Sequence, residues 1–435
     1  MKDEGHTDRH GREQRSMKLK RPLAEFVVRG VQSEGELRAA NDLMAKTQLP
    51  NYWDSHGWLE SAGPVWVGVK REHTRIALED AEMVGALRLT PLTLRIGRAR
   101  LRAVGIGWVS TPPAQRGRGV CRALMQDALD YTRDSGAPFS LLYGVPNLYH
   151  RFGYATLLPE YSVTVEVRTV DTGSAPPFRT RPVTKDDIPA LMRIHDAHEA
   201  EASCSMVRTA AHYRSQFIST APKTPYWCDW PGAKALTDGK GRICAYFMPQ
   251  AAATELHIKE LGVTDRASCA ALLHAALATA REAGVGQVRF HVPPYHPFAR
   301  HLEGIDSIHQ ARHFANREGM MALTRLEACL NAMVPEWKER MKACGMAGFV
   351  GECTLAVSGA VYRVVSDGSG LRIVQGAGKN RIVLDAQTFV RLAAGYAHAE
   401  DVLAETAPRM KGDARRFALA LFPKRTPFIW PIDHF

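Results

Sequence analysis

The feature that most constrains this chain is a repeat. Ala123-Leu124 and Ala271-Leu272, Gly136 and Gly284, and Pro146 and Pro294 are each separated by 148 positions. In both stretches a strand leads into a loop, an amphipathic helix ends at the glycine, and a further strand runs into the proline. One offset running through helix, cap and strand implies two copies of a single strand–loop–helix–strand unit. Such a chain builds mixed sheets covered by helices, an α+β class. The opening of each copy agrees. A short strand at Phe26 precedes a helix that starts near Ser33 or Glu34, and residues 178–183 precede a helix from Asp186.

The length of 435 residues allows about three domains at roughly 150 residues each. The expected division is a basic tail over 1–21, a first unit over 22–170, a second over 171–325 and a different third over 326–435. The tail has no apolar periodicity and no secretory core; it reads as disordered, with Met17 a second possible start. Between the tail and the first helix-forming loop the β-rich runs are 64–69, 84–89, 92–96 and 103–110. After residue 326 a helix over 326–333 and an amphipathic stretch over 335–343 lead into strands at 351–357, 360–365, 371–375 and 381–384. Asp385 then caps a helix reaching about Tyr396. The chain ends Phe428-Ile429-Trp430-Pro431-Ile432-Asp433-His434-Phe435, and a terminus this aromatic is expected to be docked.

The net charge is +11, from 56 basic and 45 acidic residues. A surplus of this size first suggests a polyanionic partner. Its distribution argues otherwise: residues 1–21 carry +3 and residues 409–425 carry +5. No basic run interleaved with aromatics stands outside the termini, so nucleic acid is not an expected partner. No stretch of about 18 apolar residues is present, so no membrane span is expected. Eight cysteines without a CxxC and 17 histidines without an HExxH give no metal pattern. They fit reduced thiols in a cytosolic protein. His291, His296, His301 and His309 are loosely grouped, which is more often a set of satisfied or exposed rings than a ligand set.

The chemistry sits in one loop. Between the strand 103–110 and the helix that follows lies Gln115-Arg116-Gly117-Arg118-Gly119-Val120-Cys121. A helix N-terminus offers unpaired amides and a favourable dipole to an anion, and glycine lets a phosphate approach the backbone. The loop is neither a Walker A nor a GxGxxG fingerprint. At offset 148 it aligns with Thr264-Asp265-Arg266-Ala267, where both glycines are lost and an acid is gained. The second copy therefore cannot hold phosphate the same way, and reads as structural or as one wall of a pocket.

Here the residues resemble a family. Arg116-Gly117-Arg118-Gly119-Val120-Cys121 is similar to the [Gln/Arg]-x-x-Gly-x-[Gly/Ala] pyrophosphate motif of the GNAT superfamily of N-acetyltransferases, with Cys121 at the last small position. Asn147-Leu148-Tyr149-His150-Arg151-Phe152-Gly153-Tyr154 looks like its cofactor-clasping helix. An intact copy, a degenerate copy, a sterol-carrier-like C-terminal domain and a terminal Phe435 together resemble the Eis (enhanced intracellular survival) type over residues 22–435.

The resemblance implies a set of roles. The co-substrate would be acetyl-CoA, with Val109, Ser110 and Thr111 pairing with its pantetheine and Arg116, Gly117, Arg118, Gly119, Val120 and Cys121 cradling its pyrophosphate. Gly144 and Val145 would line the acetyl end. Tyr149 would be the general acid and the terminal carboxylate of Phe435 the general base, acting through water. Trp53, Asp54 and Trp58 would bind the acceptor amine through ring faces and charge, aided by Asp433. Hexamers occur in the family, so a homo-oligomer is implied. His434 stands where relatives that acetylate polycations tend to carry an acid. Read without the resemblance, Tyr149 could be a packed core tyrosine, Phe435 an apolar anchor and 51–60 a packed helix–loop–helix. A rival function keeps the acetyltransferase copies inert and gives the last domain an apolar ligand. The retained glycine loop and Tyr149 favour the enzyme.

Overall fold

In the computed structural model, residues 26–48, 67–170, 177–200, 202–218 and 232–435 are described. The first unit runs β1 (Val27–Gly30), β2 (Thr74–Glu79), β3 (Glu82–Ile96), β4 (Ala99–Ser110), β5 (Phe139–Gly144), β6 (Ala155–Leu158) and β7 (Glu160–Glu166). The second runs β8 (Arg179–Pro182), β9 (Ser203–Met206), β10 (Lys234–Thr237), β11 (Ile243–Ala251), β12 (Glu255–Val263), β13 (Gln287–Phe290), β14 (Ile308–Arg312) and β15 (Glu318–Leu323). The last unit holds β16 (Val350–Val357), β17 (Ala360–Asp367), β18 (Leu371–Gln375) and β19 (Arg381–Leu384).

The duplication is visible in the sheets. One is ordered β1-β2-β3-β4-β5-β15-β6, the other β8-β10-β11-β12-β13-β7-β14. Strand by strand they have one topology, and in both the parallel pair (β4 with β5, β12 with β13) precedes the closing strands. The closing strands are exchanged. β15, from the second copy, lies between β5 and β6, with Gly319 paired to Tyr143 and to Leu158. β7, from the first copy, lies between β13 and β14, with Val163 paired to Phe290 and to His309. β9 adds a second weld by pairing with β3. The two sheets thus exchange strands across residue 170, β7 from before it and β15 from after it.

The helix ends repeat as well. The helices Val120–Asp134 and Arg266–Glu282 stop at Gly136 (φ 78°) and Gly284 (φ 71°), and both glycine amides bond back to the carbonyl three residues earlier, at 3.0 and 3.1 Å. Left-handed backbone is where glycine costs least, which is why the repeat is legible there.

Two expectations need correction. The runs 84–89 and 92–96 are one strand, β3, which passes through Pro91. Among the described residues no strand lies beside β3 on its outer edge between the β2 register, ending at Arg88, and the β9 register, starting at Leu94, so no ladder bond is lost to proline on that side. The stretches 326–333 and 335–343 are one helix, Leu326–Ala343, that runs through Pro335 and buries Trp337 completely. This helix packs between the first sheet and β16–β19, in one core containing Leu101, Phe139, Leu330, Trp337, Leu355 and Phe389. The Asp385 cap is present: its carboxylate accepts from the Thr388 amide at 2.6 Å. Among the described residues all cysteines are free thiols, and no helix is long and apolar enough to cross a membrane.

Two predictions follow from this architecture. A fragment ending at residue 170 lacks β15 and leaves β5 and β6 unjoined. It is expected to give no cooperative thermal transition alone, and to fold when produced together with 171–435; a well-dispersed NMR spectrum from the isolated fragment would sink the exchange as a folding requirement. Separately, burial pushes His296, fully enclosed, and His291 well below the usual imidazole range. The unfolded chain takes up protons at these rings below about pH 6.5 and the folded chain does not, so stability is complete above that pH and is lost as pH falls. The slope for one such ring is at most about 1.4 kcal/mol per pH unit. Melting curves from pH 7 to 5 should show it, and His296→Asn, which keeps an acceptor for the Phe298 amide, should flatten it.

Candidate active site

The parallel contact between β4 and β5 is short. It covers residues 103–105 against 139–141 and then stops, while β4 continues to Ser110 along β3. A register shift on β3 between Ala86 and Arg88 and a left-handed Trp108 (φ 55°) turn β4 away at that point. A bulge increases local twist and bends the strand. The result is a wedge between β4 and β5, opening toward the glycine loop.

Two glycines line the wedge from below. A methyl group on Gly105 would lie 2.4 Å from the ring of Phe435, and one on Gly107 would lie 3.0 Å from its terminal carboxyl carbon and oxygen. The chain terminus is therefore seated on a stripe of bare backbone. Alternate residues of a strand share a face, so the Gly-x-Gly spacing clears one continuous seat. The Tyr143 ring stands 6.0 Å from Phe435 and stacks on His434 at 3.7 Å. Burial pushes His434 down to about 3, so this imidazole is neutral near pH 7 and puts no cation beside the terminal carboxylate.

Tyr149 occupies the other side of β5. It opens the short helical turn Tyr149–Phe152, and a methyl on Gly144 would lie 2.6 Å from its ring. The ring is 7% exposed. Burial raises its pKa, with the Cys121 thiol a smaller contributor. The hydroxyl is thus a held proton at any ordinary pH, and it has no hydrogen bond to a described residue. The turn is braced from the third unit, where the Gln387 amide donates to the carbonyls of His150 and Tyr154 at 3.1 and 2.9 Å. Tyr154 in turn shares a 2.6 Å hydrogen bond with Ser140.

The glycine loop has the form an anion needs. Gly117 (φ 75°) and Gly119 (φ 102°) are both left-handed, and Gly119 is the N-cap of the helix Val120–Asp134 without a side-chain cap. The amides of Val120, Cys121 and Arg122 precede the first intrahelical bond, which Ala123 makes to Gly119 at 3.0 Å. A methyl on Gly117 would meet nothing within 4 Å, so the loop is open above it. The two arginines differ. Arg116 bonds the Thr111 carbonyl at 3.2 Å and is exposed, whereas Arg118 is forked onto Glu79 at 2.5–2.6 Å and also bonded to Gln115. Arg118 is therefore already spent on Glu79. Val120 is buried, and only its amide can serve a ligand. Burial raises the Cys121 thiol, which keeps it neutral.

The remaining expected residues are placed as follows. The Val109 carbonyl accepts from the Gln48 amide at 2.8 Å and the Ser110 hydroxyl donates to the Trp108 carbonyl at 2.9 Å. Thr111 sits half-buried, its hydroxyl bonded to no described residue. Val145 is 56% exposed at the mouth, one residue beyond Gly144. Trp53, Asp54 and Trp58 lie outside the described residues. Asp433 is 2% exposed and clasps Arg208 at 2.6–3.1 Å, with burial raising its carboxyl despite that partner. In the second copy the loop after β12 is closed by its own acid. Asp265 accepts from the Ser268 amide at 2.8 Å and fills the helix N-terminus that Gly119 leaves free in the first. Sequence reasoning missed Gly105, Gly107, Arg208 and Gln387. A Gly-x-Gly inside a strand is a legible sign of close backbone approach; the other two carry no local signal.

The family model for the acetyltransferase (GNAT) domain matches residues 32–157. Among solved structures, the chain resembles a GCN5-related N-acetyltransferase from Anabaena variabilis ATCC 29413, at 16% identity and TM-score 0.71 over 94% of this chain and 100% of that one. It resembles a probable N-acyltransferase from Enterococcus faecalis V583 at 17% identity and TM-score 0.69, and Eis1 from Mycobacterium abscessus at 15% and 0.61, each over 94% of this chain and 100% of the other. At these identities the likeness is one of fold, and it extends through all three units. No curated protein matches the chain. With its acetyltransferase domain the chain is an enzyme of the N-acetyltransferase class.

The seat of Phe435 can be tested without a substrate. Gly105→Ala places a methyl where the ring now lies, and overpacking of this kind costs about 1–3 kcal/mol or expels the ring. Carboxypeptidase is expected to release Phe435 faster from the variant than from the wild type. Equal release rates with an unchanged melting temperature would show that the terminus is not held there.

Proposed function

We propose that this enzyme transfers an acetyl group from acetyl-CoA directly to a primary amine, on a small molecule or a lysine side chain. The observation that carries the reading is the placement of the chain terminus and Tyr149 on opposite sides of one wedge, Phe435 against Gly105 and Gly107 and Tyr149 against Gly144. Acetyl-CoA supplies the thioester. The amides of Val120, Cys121 and Arg122, the left-handed Gly117 and the exposed Arg116 fit its pyrophosphate. Arg118 shapes the loop through Glu79. Val109, Ser110 and Thr111 line the path of the pantetheine arm, and Gly144 and Val145 the acetyl end.

Two protons must move. The amine must lose one, and the departing thiolate must gain one. Tyr149 holds a proton at the wedge. Its burial makes it a poorer acid, but the same desolvation raises the thiol, whose reference pKa is about 8.5, so the transfer stays within reach. The terminal carboxylate of Phe435 takes the amine proton through water. His434, neutral near pH 7, puts no imidazolium beside that carboxylate. Trp53, Asp54 and Trp58 remain the proposed contacts for the acceptor. The third unit is proposed to be sterol-carrier-like in fold, and its part here is to brace Tyr149 through Gln387. The enzyme is taken to be cytosolic and oligomeric.

Acetyl-CoA turnover over a panel of amines tests the proposal. Tyr149→Phe should lower kcat roughly 100-fold with KM for acetyl-CoA nearly unchanged. Arg116→Ala should raise that KM several-fold, and Arg118→Ala should act mainly through stability. Because free amines protonate near pH 10 (about 10.4 for lysine), kcat/KM should climb through the neutral range. Wild-type protein that neither binds acetyl-CoA nor releases CoA ends the reading.

A further inference from the structure

We infer that Arg208, in the second copy, is the positioning residue for the terminal carboxylate: it clamps Asp433 two residues from Phe435 while its own backbone segment is welded to the sheet on which Phe435 sits. The inference rests on the proposed role of that carboxylate as base and adds the device that aims it.

The clamp is a closed buried set. Arg208 bonds Glu260 through Nη1 and Nη2 at 2.7 and 2.6 Å, and Asp433 through Nε and Nη2 at 2.6–3.1 Å. The side chains of Arg208 and Glu260 are 1% and 0% exposed, and that of Asp433 is 3% exposed. Tyr246 donates to Glu260 at 2.9 Å, and the guanidinium lies 5.5 Å from the centre of the Tyr213 ring. A guanidinium forked onto two carboxylates is fixed in plane and in direction. Two anions on one cation is more than a pairing requires, and the second anion is the tail.

The clamp is referenced to the right frame. Met206 pairs with Leu94 on β3, and the Val207 amide donates to the Thr93 carbonyl at 2.8 Å. The next residue is Arg208. β3 carries β4, and β4 carries Gly105 and Gly107. Upstream the tail is held again, by Phe428 to the Ser203 carbonyl at 2.9 Å and by Trp430 to Glu199 at 3.0 Å. Between the clamp and the carboxylate stand only His434 and Phe435, and two residues of chain transmit a shift of the clamp almost undiminished. The second copy, its phosphate site closed by Asp265, grips the chain's own end in place of a substrate.

A shift of about 1 Å in a reacting group can cost on the order of 100-fold in rate. Arg208→Met is therefore expected to lower kcat between about 10- and 100-fold, with KM for acetyl-CoA and CoA affinity by calorimetry within twofold. Arg208→Lys should recover part of the loss. A glycine appended after Phe435 moves the carboxylate itself and should be at least as damaging; joined to Arg208→Met it should add nothing, since both act on one group. If Arg208→Met does not fold, Asp433→Asn, which keeps the shape and leaves Arg208 paired to Glu260, takes its place with the same expected split of kcat from KM. Folded Arg208→Met with kcat within twofold of wild type, beside an inactive appended variant, overturns the clamp and leaves the base. Losses that multiply in the double variant overturn it too. An appended glycine without effect removes the base reading, and the inference falls with it.

Discussion

The exchange of β7 and β15 is the constraint on which the rest of this structure depends. A strand placed inside a sheet satisfies its backbone groups on both sides, and a buried strand without a partner leaves a row of them unpaired. Here each copy completes the other's sheet, and β9 adds a second weld to β3. Neither copy can rotate against the other without breaking strand pairs. Two domains joined only by a linker would be free to move relative to one another. These two cannot, and so a contact made on the second copy can fix an atom on the first.

That rigidity is used by the chain terminus. A half-buried phenyl ring such as Phe435 contributes less than the roughly 1.5–3 kcal/mol of full burial, enough to favour docking but without direction. The ion cluster has the opposite character. Desolvation of Arg208, Glu260 and Asp433 offsets most of their mutual attraction, so the cluster adds little net stability, but its geometry is directional. Apolar contact and ionic fork are therefore complementary: one brings the tail to the wedge, the other sets how far it enters. Glycine at 105 and 107 favours both, because a methyl at 105 would stand where the ring now lies and one at 107 would press on the carboxyl.

The sequence made the local parts legible and hid the distant ones. The glycine loop, the helix after it, the Gly136 and Gly284 stops and the Asp385 cap are all written within a few residues, and all are present. The 148-residue repeat announced a common topology. It did not announce the exchange, because a strand's hydrophobic alternation says that it pairs and not with which edge. Arg208 and Asp433 are 225 positions apart and Arg208 and Glu260 are 52 apart, so no window contains the clamp. Asp433 lies two residues from the terminus, beside His434. Neighbouring residues can face opposite ways, and its carboxylate turns to the second copy.

The same reasoning bears on charge. A surplus of +11 looks like a field for a polyanion, but at the glycine loop what matters is which cations are free at close range. Arg118 is neutralised by Glu79, which leaves Arg116 and the helix amides facing the anion. On the far side of the wedge His434 is neutral and Arg208 is outnumbered by two carboxylates. His434 itself adds no cation beside the terminal carboxyl of Phe435. A cation in place of His434 would pair with it and weaken it. In the proposed reaction the neutral ring stacked on Tyr143 thus serves the chemistry as well as the packing.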